Sequence, residues 1–256
     1  MRTIDINADS GESFGRWRLG ADEELAPLVT SVNVACGWHA GDPATMSHSI
    51  DLAGRFGLAL GAHPGLPDLV GFGRRSIALT PDEAAQGVLY QYGALKALAD
   101  AQGVPVTHVK PHGSLYGLLS RDDAAADAVA DAVAAIDPNL LLVLEAGHPA
   151  QRQRDRGRSV VAEAFCDLDY SDDGHIIIDP ESRRRDPTRC AQQAADILAG
   201  TVTSVNGVEI SITAESICLH GDRPGAVDNA RAVIERVRAE GHELRAVAKA
   251  NGEESR

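Results

Sequence analysis

Seven short apolar or β-branched runs recur along the chain: Ile4–Ala8, Ser31–Cys36, Leu58–Ala62, Val106–Val109, Leu140–Leu144, Val160–Phe165 and Ser216–Leu219. Each is followed by polar or glycine-rich residues, and all but the first follow a helical or turn-rich stretch. Runs of this length alternating with helix-length segments read as repeated β-α units, whose natural closure is an α/β barrel. The clearest helix signal follows Leu79. Thr80 stands at an N-cap, Pro81 at the first helical position and Glu83 at the third, with Val88, Leu89, Tyr92 and Leu95 along one face and Gly103 as the stop. Further helix starts are expected at Ser120, at Asp186 before Pro187 and at Asp222 ahead of Pro224, with Gly241 closing the last helix. Gln151–Ser159 and Ser182–Arg189 read as exposed loops or helix ends, and the Glu-Glu-Ser-Arg tail as a fraying terminus.

Composition narrows the class. The 256 residues, 44% hydrophobic and 24% charged, suit one globular α/β domain spanning 1–256, since barrels of about 250 residues commonly form a single unit. Aromatic residues make up only 4%, so the core is expected to be filled by Ala, Val, Leu and Ile in barrel layers. A net charge of −13 repels a phosphate backbone and argues against a nucleic-acid partner. No apolar run approaches the length of a membrane span, and the N-terminus enters a strand pattern at once; a cytoplasmic protein without a membrane partner is expected. Cys36, Cys166, Cys190 and Cys218 are too scattered for a zinc knuckle and read as reduced thiols.

The chemistry-bearing residues are unevenly placed. Asp9 and Glu12 follow the first run, Cys36 and His39 the second, His63 the third, Lys110 and His112 the fourth, and His220 and Asp222 the last. If the runs are parallel strands, all of these groups emerge at one rim, the C-terminal face where barrel active sites are assembled. His148 also follows a run, whereas His48, His175 and His242 fall in helix or loop contexts, and His108 reads as structural. Glycine flanks most of these elements, and Gly71-Phe72-Gly73-Arg74-Arg75 adds a loop with two guanidinium groups suited to carboxylate or phosphate. The chain has no GxxxxGK[ST] loop, GxGxxG, HExxH or GxSxG motif. Cys36 and Cys218, set in apolar strands, read as structural thiols before nucleophiles.

Five motifs, taken in order, closely resemble the LamB/YcsF family, understood as the A subunit of prokaryotic ATP-dependent 5-oxoprolinase. They are Asp5-Ile6-Asn7-Ala8-Asp9-Ser10-Gly11-Glu12, Asn33-Val34-Ala35-Cys36-Gly37-Trp38-His39-Ala40-Gly41-Asp42, Gly61-Ala62-His63-Pro64-Gly65-Leu66-Pro67-Asp68, His108-Val109-Lys110-Pro111-His112-Gly113-Ser114-Leu115-Tyr116 and Cys218-Leu219-His220-Gly221-Asp222. The resemblance implies an irregular seven-stranded β/α barrel like that of glycoside hydrolases and deacetylases. It also implies hydrolysis of 5-oxoproline to glutamate with ATP and Mg²⁺, and subunits B and C as partners; self-association stays open. For that chemistry the catalytic candidates are Asp9, Glu12, Lys110 and His112: Lys110 for phosphate or oxyanion charge, the others for proton transfer. Asn7, Asn33, His39, His63, Arg74, His220 and Asp222 are the candidates for holding substrate or nucleotide.

One segment departs from the family. Leu168 stands where the family has Arg after Asp167, and Asp179–Arg185 replaces a Gly-Ala-Leu-Ile-like stretch, so Arg183, Arg184 or Arg185 is expected to replace the missing guanidinium. Two other functions compete. Asp9, His39, His63 and His112 suit a transition-metal site, as in a metal-dependent amide or polysaccharide deacetylase. The chain would instead be a ligand-binding subunit without catalysis of its own if activity belongs to its partners.

Overall fold

The computed structural model describes residues 2–179 and 181–247. Strands and helices alternate through the first two thirds: β1 Arg2–Ser10, α1 Asp22–Leu25, β2 Ser31–Ala35, α2 Pro43–Phe56, β3 Ala59–His63, α3 Pro81–Gln102, β4 Val106–Val109, α4 Gly113–Arg121, α5 Asp123–Ile136, β5 Leu141–Glu145, α6 His148–Asp155 and β6 Val160–Phe165. They are followed by α7 Pro187–Ala199, β7 Thr201–Thr203, β8 Glu209–Ser211, β9 Ser216–Leu219, α8 Ala226–Ala239 and β10 His242–Leu244. Strands pair in the order β1-β2-β3-β4-β5-β6-β9, all parallel, and β9 returns to β1 to close a seven-stranded barrel. β10 lies parallel to the start of β1, outside the closure, and β7 and β8 make a separate antiparallel hairpin. Each expected apolar run is a barrel strand; Val106–Val109, Val160–Phe165 and Ser216–Leu219 coincide with theirs, and the other four are displaced at one or both ends by one or two residues.

Local signals account for most helix ends. Thr80 and Glu83 form the reciprocal capping box at α3, Gly103 ends that helix at φ 71°, and the Asp186 carboxylate accepts from the Thr188 and Arg189 amides at the head of α7. Two expected starts are corrected. Ser120 lies in the last turn of α4, and Asp122 caps α5 instead, accepting from the Ala125 amide. Asp222 is drawn into an ion pair with Arg74, leaving Gly225 at φ 84° as the residue before α8. Gln151–Asp155 is helical, in α6, whose Arg152 and the following Arg156 pair with Asp127 and Asp131 of α5. His242 belongs to β10 rather than to a helix or loop. The 253–256 tail lies outside the described residues.

The barrel interior corrects the expectation of aliphatic layers. Successive strand residues face opposite sides, and in β1 Ile4, Ile6 and Ala8 join the hydrophobic core while Asp5, Asn7 and Asp9 turn to the barrel axis, where they bond side chains of other strands. The same alternation sets Val32 and Val34 against Ser31 and Asn33 in β2, and Ile217 and Leu219 against Ser216 and Cys218 in β9. Aliphatic residues therefore fill the layer between barrel and helices, and polar groups fill much of the barrel itself. Toward its base the lining turns apolar on one side, at Leu141, Val143 and Val161.

Gly61 on β3 is required by this interior. A methyl group there would lie 2.1 Å from His108 Nε2, which crosses the barrel to the Asn33 side-chain oxygen at 2.8 Å. Gly61→Ala is expected to lower stability by about 1–3 kcal/mol. Gly93→Ala, inside α3 with open space around it, is expected to raise it by about 0.5–1 kcal/mol. Urea unfolding midpoints check both signs.

Candidate functional site

The polar residues that follow the strands do meet at the C-terminal rim. A narrow cavity there, about 30 Å³, is lined by Asp9, His63, Arg74, Lys110, His112 and His220 together with Tyr116, Phe165, Leu168, Asp179 and Arg223. A water needs roughly 10–15 Å³ measured in this way, so a larger ligand requires the walls to part. A wider surface hollow of about 980 Å³, bounded by α6 and the strand after β7, contains none of these groups.

Lys110 organises the floor. It is 2% exposed, and its ammonium touches Asn7 Oδ1 at 3.1 Å, Asp9 Oδ1 at 3.1 Å, Glu163 Oε1 at 3.0 Å and Cys218 Sγ at 2.8 Å. Burial disfavours the ammonium, but Asp9, Cys218 and Glu163 outweigh it and hold Lys110 well above the ordinary lysine range. Burial likewise opposes the Asp9 carboxylate; His63 and Lys110 hold it well below the usual carboxylate range. Glu163, by contrast, is raised, burial outweighing its ammonium partner. One fixed positive charge thus faces one committed carboxylate.

The imidazoles form the wall. His63 Nδ1 donates to the Lys110 carbonyl at 2.6 Å, and His112 Nε2 to the Phe72 carbonyl at 2.8 Å. The remaining nitrogens, His63 Nε2 and His112 Nδ1, face each other at 3.0 Å. Glu12 Oε1 stands 3.6 Å from His112 Nδ1 and 3.7 Å from His39 Nε2. His39 stacks on His112 with ring centroids 3.8 Å apart. Its ring packs so closely on Gly65 that a methyl group there would lie 2.4 Å from Nδ1. Burial, then the neighbouring imidazoles, keep His39 and His112 well below the ordinary histidine range, while burial and the Asp222 and Asp9 carboxylates raise Glu12 well above that of a carboxylic acid.

His220 occupies the opposite wall. Its Nδ1 is 2.9 Å from Asp167 Oδ1, Asp167 also accepts its backbone amide at 2.8 Å, and the ring stacks on Phe165. Nε2 therefore points toward the cavity, 3.8 Å from Asp9 Oδ2. Cys36 and Cys218 are buried, and burial pushes the Cys36 thiol up to about 12 and Cys218 well above the thiol range, which supports the structural reading.

Several expectations change. Asn7 and Asn33 lie beneath the cavity rather than in it: Asn7 is spent on Glu163 and Ser216, Asn33 on Asn7 and Asp9, so they support the site instead of lining it. Arg74 reaches the cavity but is paired with Asp222 at 2.8 Å and bonded to Ser182, and Asp222 is drawn to that latch at the rim. His148 is an exposed partner of Asp123. Leu168 does line the cavity, but Arg185 is bound to Asp169 in a two-pronged pair and Arg183 is largely exposed beside Asp179; Pro180 lies outside the described residues. The buried guanidinium facing the cavity besides Arg74 is that of Arg223, which the sequence pattern did not single out, nor did it single out Glu163 or Asp167. The signal for Glu163 was present: a lone charge in the apolar run Val160–Phe165.

The LamB/YcsF family model matches residues 4–252. The chain belongs to the LamB/YcsF family. It is 47% identical over 247 residues to a Thermus thermophilus protein named as the A subunit of 5-oxoprolinase, covering 95% of this chain and 99% of that one. It is 49% identical to a Methylococcus capsulatus protein of the same name, with 90% of each chain covered. The crystal structure of a lactam utilization protein, also from Thermus thermophilus, superposes with a TM-score of 0.85 at 45% identity, covering 95% of this chain and 99% of that one. A putative cellobiose-phosphate cleavage protein of Enterococcus faecalis, 12% identical with a TM-score of 0.55, shares the fold alone; 97% of this chain and 98% of that one are covered. No helix among the described residues is long and apolar enough to cross a membrane.

The wall of the cavity carrying Ile176 is clamped by one carboxylate. Glu145, at the end of β5, accepts from His175 Nδ1 at 2.7 Å and from the Ile176 amide at 2.6 Å. The Glu145 hydrogen bond raises His175 above its ordinary value. A raised histidine stabilises the folded form fully below its unfolded value of about 6.5, and that contribution is lost as pH rises through the folded value. The melting-temperature difference between the parent chain and His175→Gln is therefore expected to be largest below that value and to shrink toward alkaline pH.

Proposed function

We propose that the chain contributes the lactam-opening site of an ATP-dependent 5-oxoprolinase, converting 5-oxoproline to glutamate in a complex with subunits B and C. The observation that carries this reading is the narrow rim cavity, where a buried ammonium and a committed carboxylate face oriented imidazoles, in a chain so similar over its length to proteins of that name. A five-membered lactam is a poor electrophile, with little ring strain to release. Transfer of the terminal phosphoryl group of ATP to the amide oxygen releases ADP and makes the ring carbon attackable. One water adds to that carbon, and the carbon–nitrogen bond breaks as the nitrogen takes a proton, leaving an acyl phosphate. A second water releases phosphate and glutamate.

The ring-opening step is matched by groups of this chain. Lys110 places its positive charge where negative charge grows on the phosphorylated oxygen. Asp9, kept ionised, accepts the proton of the attacking water, and His220, oriented by Asp167, exchanges a proton through Nε2 with the ring nitrogen. Arg223 takes the substrate carboxylate, the role sought among Arg183, Arg184 and Arg185. The Arg74–Asp222–Ser182 latch opens for entry, which the small cavity volume requires. Mg²⁺ travels with ATP as part of the co-substrate.

In the complex reconstituted from all three subunits, Lys110→Met is expected to lower kcat for 5-oxoproline by about 10²–10³-fold, with circular dichroism confirming the fold. His220→Gln is expected to lower kcat and remove one limb of its pH profile while leaving KM within a few-fold. Full turnover without ATP would replace this reading with ATP-independent amide hydrolysis, and unchanged kcat in both variants would assign catalysis to the partner subunits.

A further inference from the structure

His63 and His112 face each other in a way that neutral imidazoles cannot satisfy. A backbone carbonyl only accepts hydrogen bonds, so the contacts of His63 Nδ1 with the Lys110 carbonyl and of His112 Nε2 with the Phe72 carbonyl place the ring protons on those two nitrogens. The lone pairs of the other two, His63 Nε2 and His112 Nδ1, then oppose each other at 3.0 Å. The gap calls for a cation, either a proton on His63 Nε2, which also stands 3.3 Å from Asp9 Oδ2, or a metal ion. Glu12 Oε1 is 3.6 Å from the same His112 nitrogen, and His39, 0% exposed, brings two ring nitrogens without any hydrogen-bond partner among the described residues. One donor atom from each of Glu12, His39, His63 and His112 lies within 4.8 Å of the others.

We propose that His63 Nε2, His112 Nδ1 and Glu12 Oε1, completed by His39, hold one divalent first-row transition-metal ion of the Zn²⁺ class. The donor set is right for it: imidazole nitrogens and a carboxylate bind at roughly 2.0–2.2 Å, which puts neighbouring donors about 3–4 Å apart, as they stand here. The outer contacts are right as well, because metal-bound histidines usually donate their distal N–H to a carbonyl or carboxylate, fixing the ring. His39 lacks such an anchor; its ring lies parallel to that of His112 and has to turn out of the stack to bring a lone pair to the ion, and no hydrogen bond opposes that turn. Glu12 replaces Asp9 in the set suggested by the sequence. Asp9 gives Oδ1 to Lys110 and sets Oδ2 3.3 Å from His63 Nε2, beside the cluster, while Glu12 alone of the two carboxylates stands near both His39 and His112; the neighbouring group Asp9, Cys218 and His220 already holds a positive charge in the Lys110 ammonium. Since His63 and His112 line the cavity, the ion borders the place where a ligand would sit.

This inference does not rest on the lactam reading, and its test reads metal rather than turnover. The purified full-length chain is stripped with a chelator, titrated with Zn²⁺ and Co²⁺ by calorimetry, and assayed for metal by mass spectrometry, with circular dichroism as the folding control. The expected result is one ion per chain, Co²⁺ absorption bands of a nitrogen- and oxygen-ligated site, and affinity weakened at least about a hundredfold in Glu12→Gln and in His112→Gln, with His220→Gln unchanged. Should either ligand variant fail to fold, Co²⁺ bound to the parent chain, with histidine resonances of His63 and His112 shifted or broadened by the paramagnetic ion, supports the site equally. The absence of binding by the folded parent chain, with ¹⁵N shifts showing an imidazolium at His63, would assign the gap to a shared proton and overturn the site; so would full affinity in both ligand variants.

Discussion

The ammonium of Lys110 inside the barrel is the constraint on which the rest of the molecule turns. Removing one member of a buried ion group typically costs about 3–5 kcal/mol, because the charge left behind has no water to solvate it. Lys110 answers to three strands at once: Asn7 and Asp9 on β1, Glu163 on β6 and Cys218 on β9, from its own place just after β4. Each of those partners is held in turn. Asn7 bonds Ser216, Asn33 bridges Asn7 and Asp9, and His108 bonds Asn33. The register of the barrel is therefore written in polar contacts across its axis as well as in the backbone ladder.

This arrangement divides the work of the two strand faces. The outward face, Ile4, Ile6, Val32, Val34, Leu60, Ile217 and their neighbours, packs against helices and supplies the apolar burial that stabilises the fold. The inward face gives up part of that gain to hold charged groups away from water. A wholly aliphatic interior would be cheaper to build, but it could not hold a carboxylate ionised and an amine protonated side by side at the floor of a cavity. The cost is offset because every strand that carries a charge inward also carries apolar side chains outward.

Above this floor the imidazole wall has a different logic. Lys110 and Asp9 satisfy each other directly, whereas His39, His63, His112 and Glu12 are brought together without satisfying each other. Glycine makes the crowding feasible, since the His39 ring lies where any side chain at position 65 would stand. Two binding demands thus sit side by side: a completed ion pair for charge stabilisation, and a donor cluster that still calls for a cation.

The amino-acid sequence by itself determined the strands, most of the helix ends and the family, because these depend on short-range signals: period-two alternation in β1, the capping box at Thr80, and motifs that remain contiguous along the chain. It also identified Asp9, Lys110, His63, His112 and His220 as neighbours, since parallel strands bring their C-terminal ends to one rim. Tertiary structure alone decided which of the gathered groups are spent and which are free. That Asn7 and Asn33 are absorbed by the barrel, that Asp222 ties down Arg74 instead of capping α8, and that Arg223 rather than Arg183 faces the cavity all depend on contacts across the fold at distances of a few ångströms. Hydrogen bonding and burial act between atoms, and sequence spacing does not encode which of two adjacent guanidinium or carboxylate groups will find its partner first.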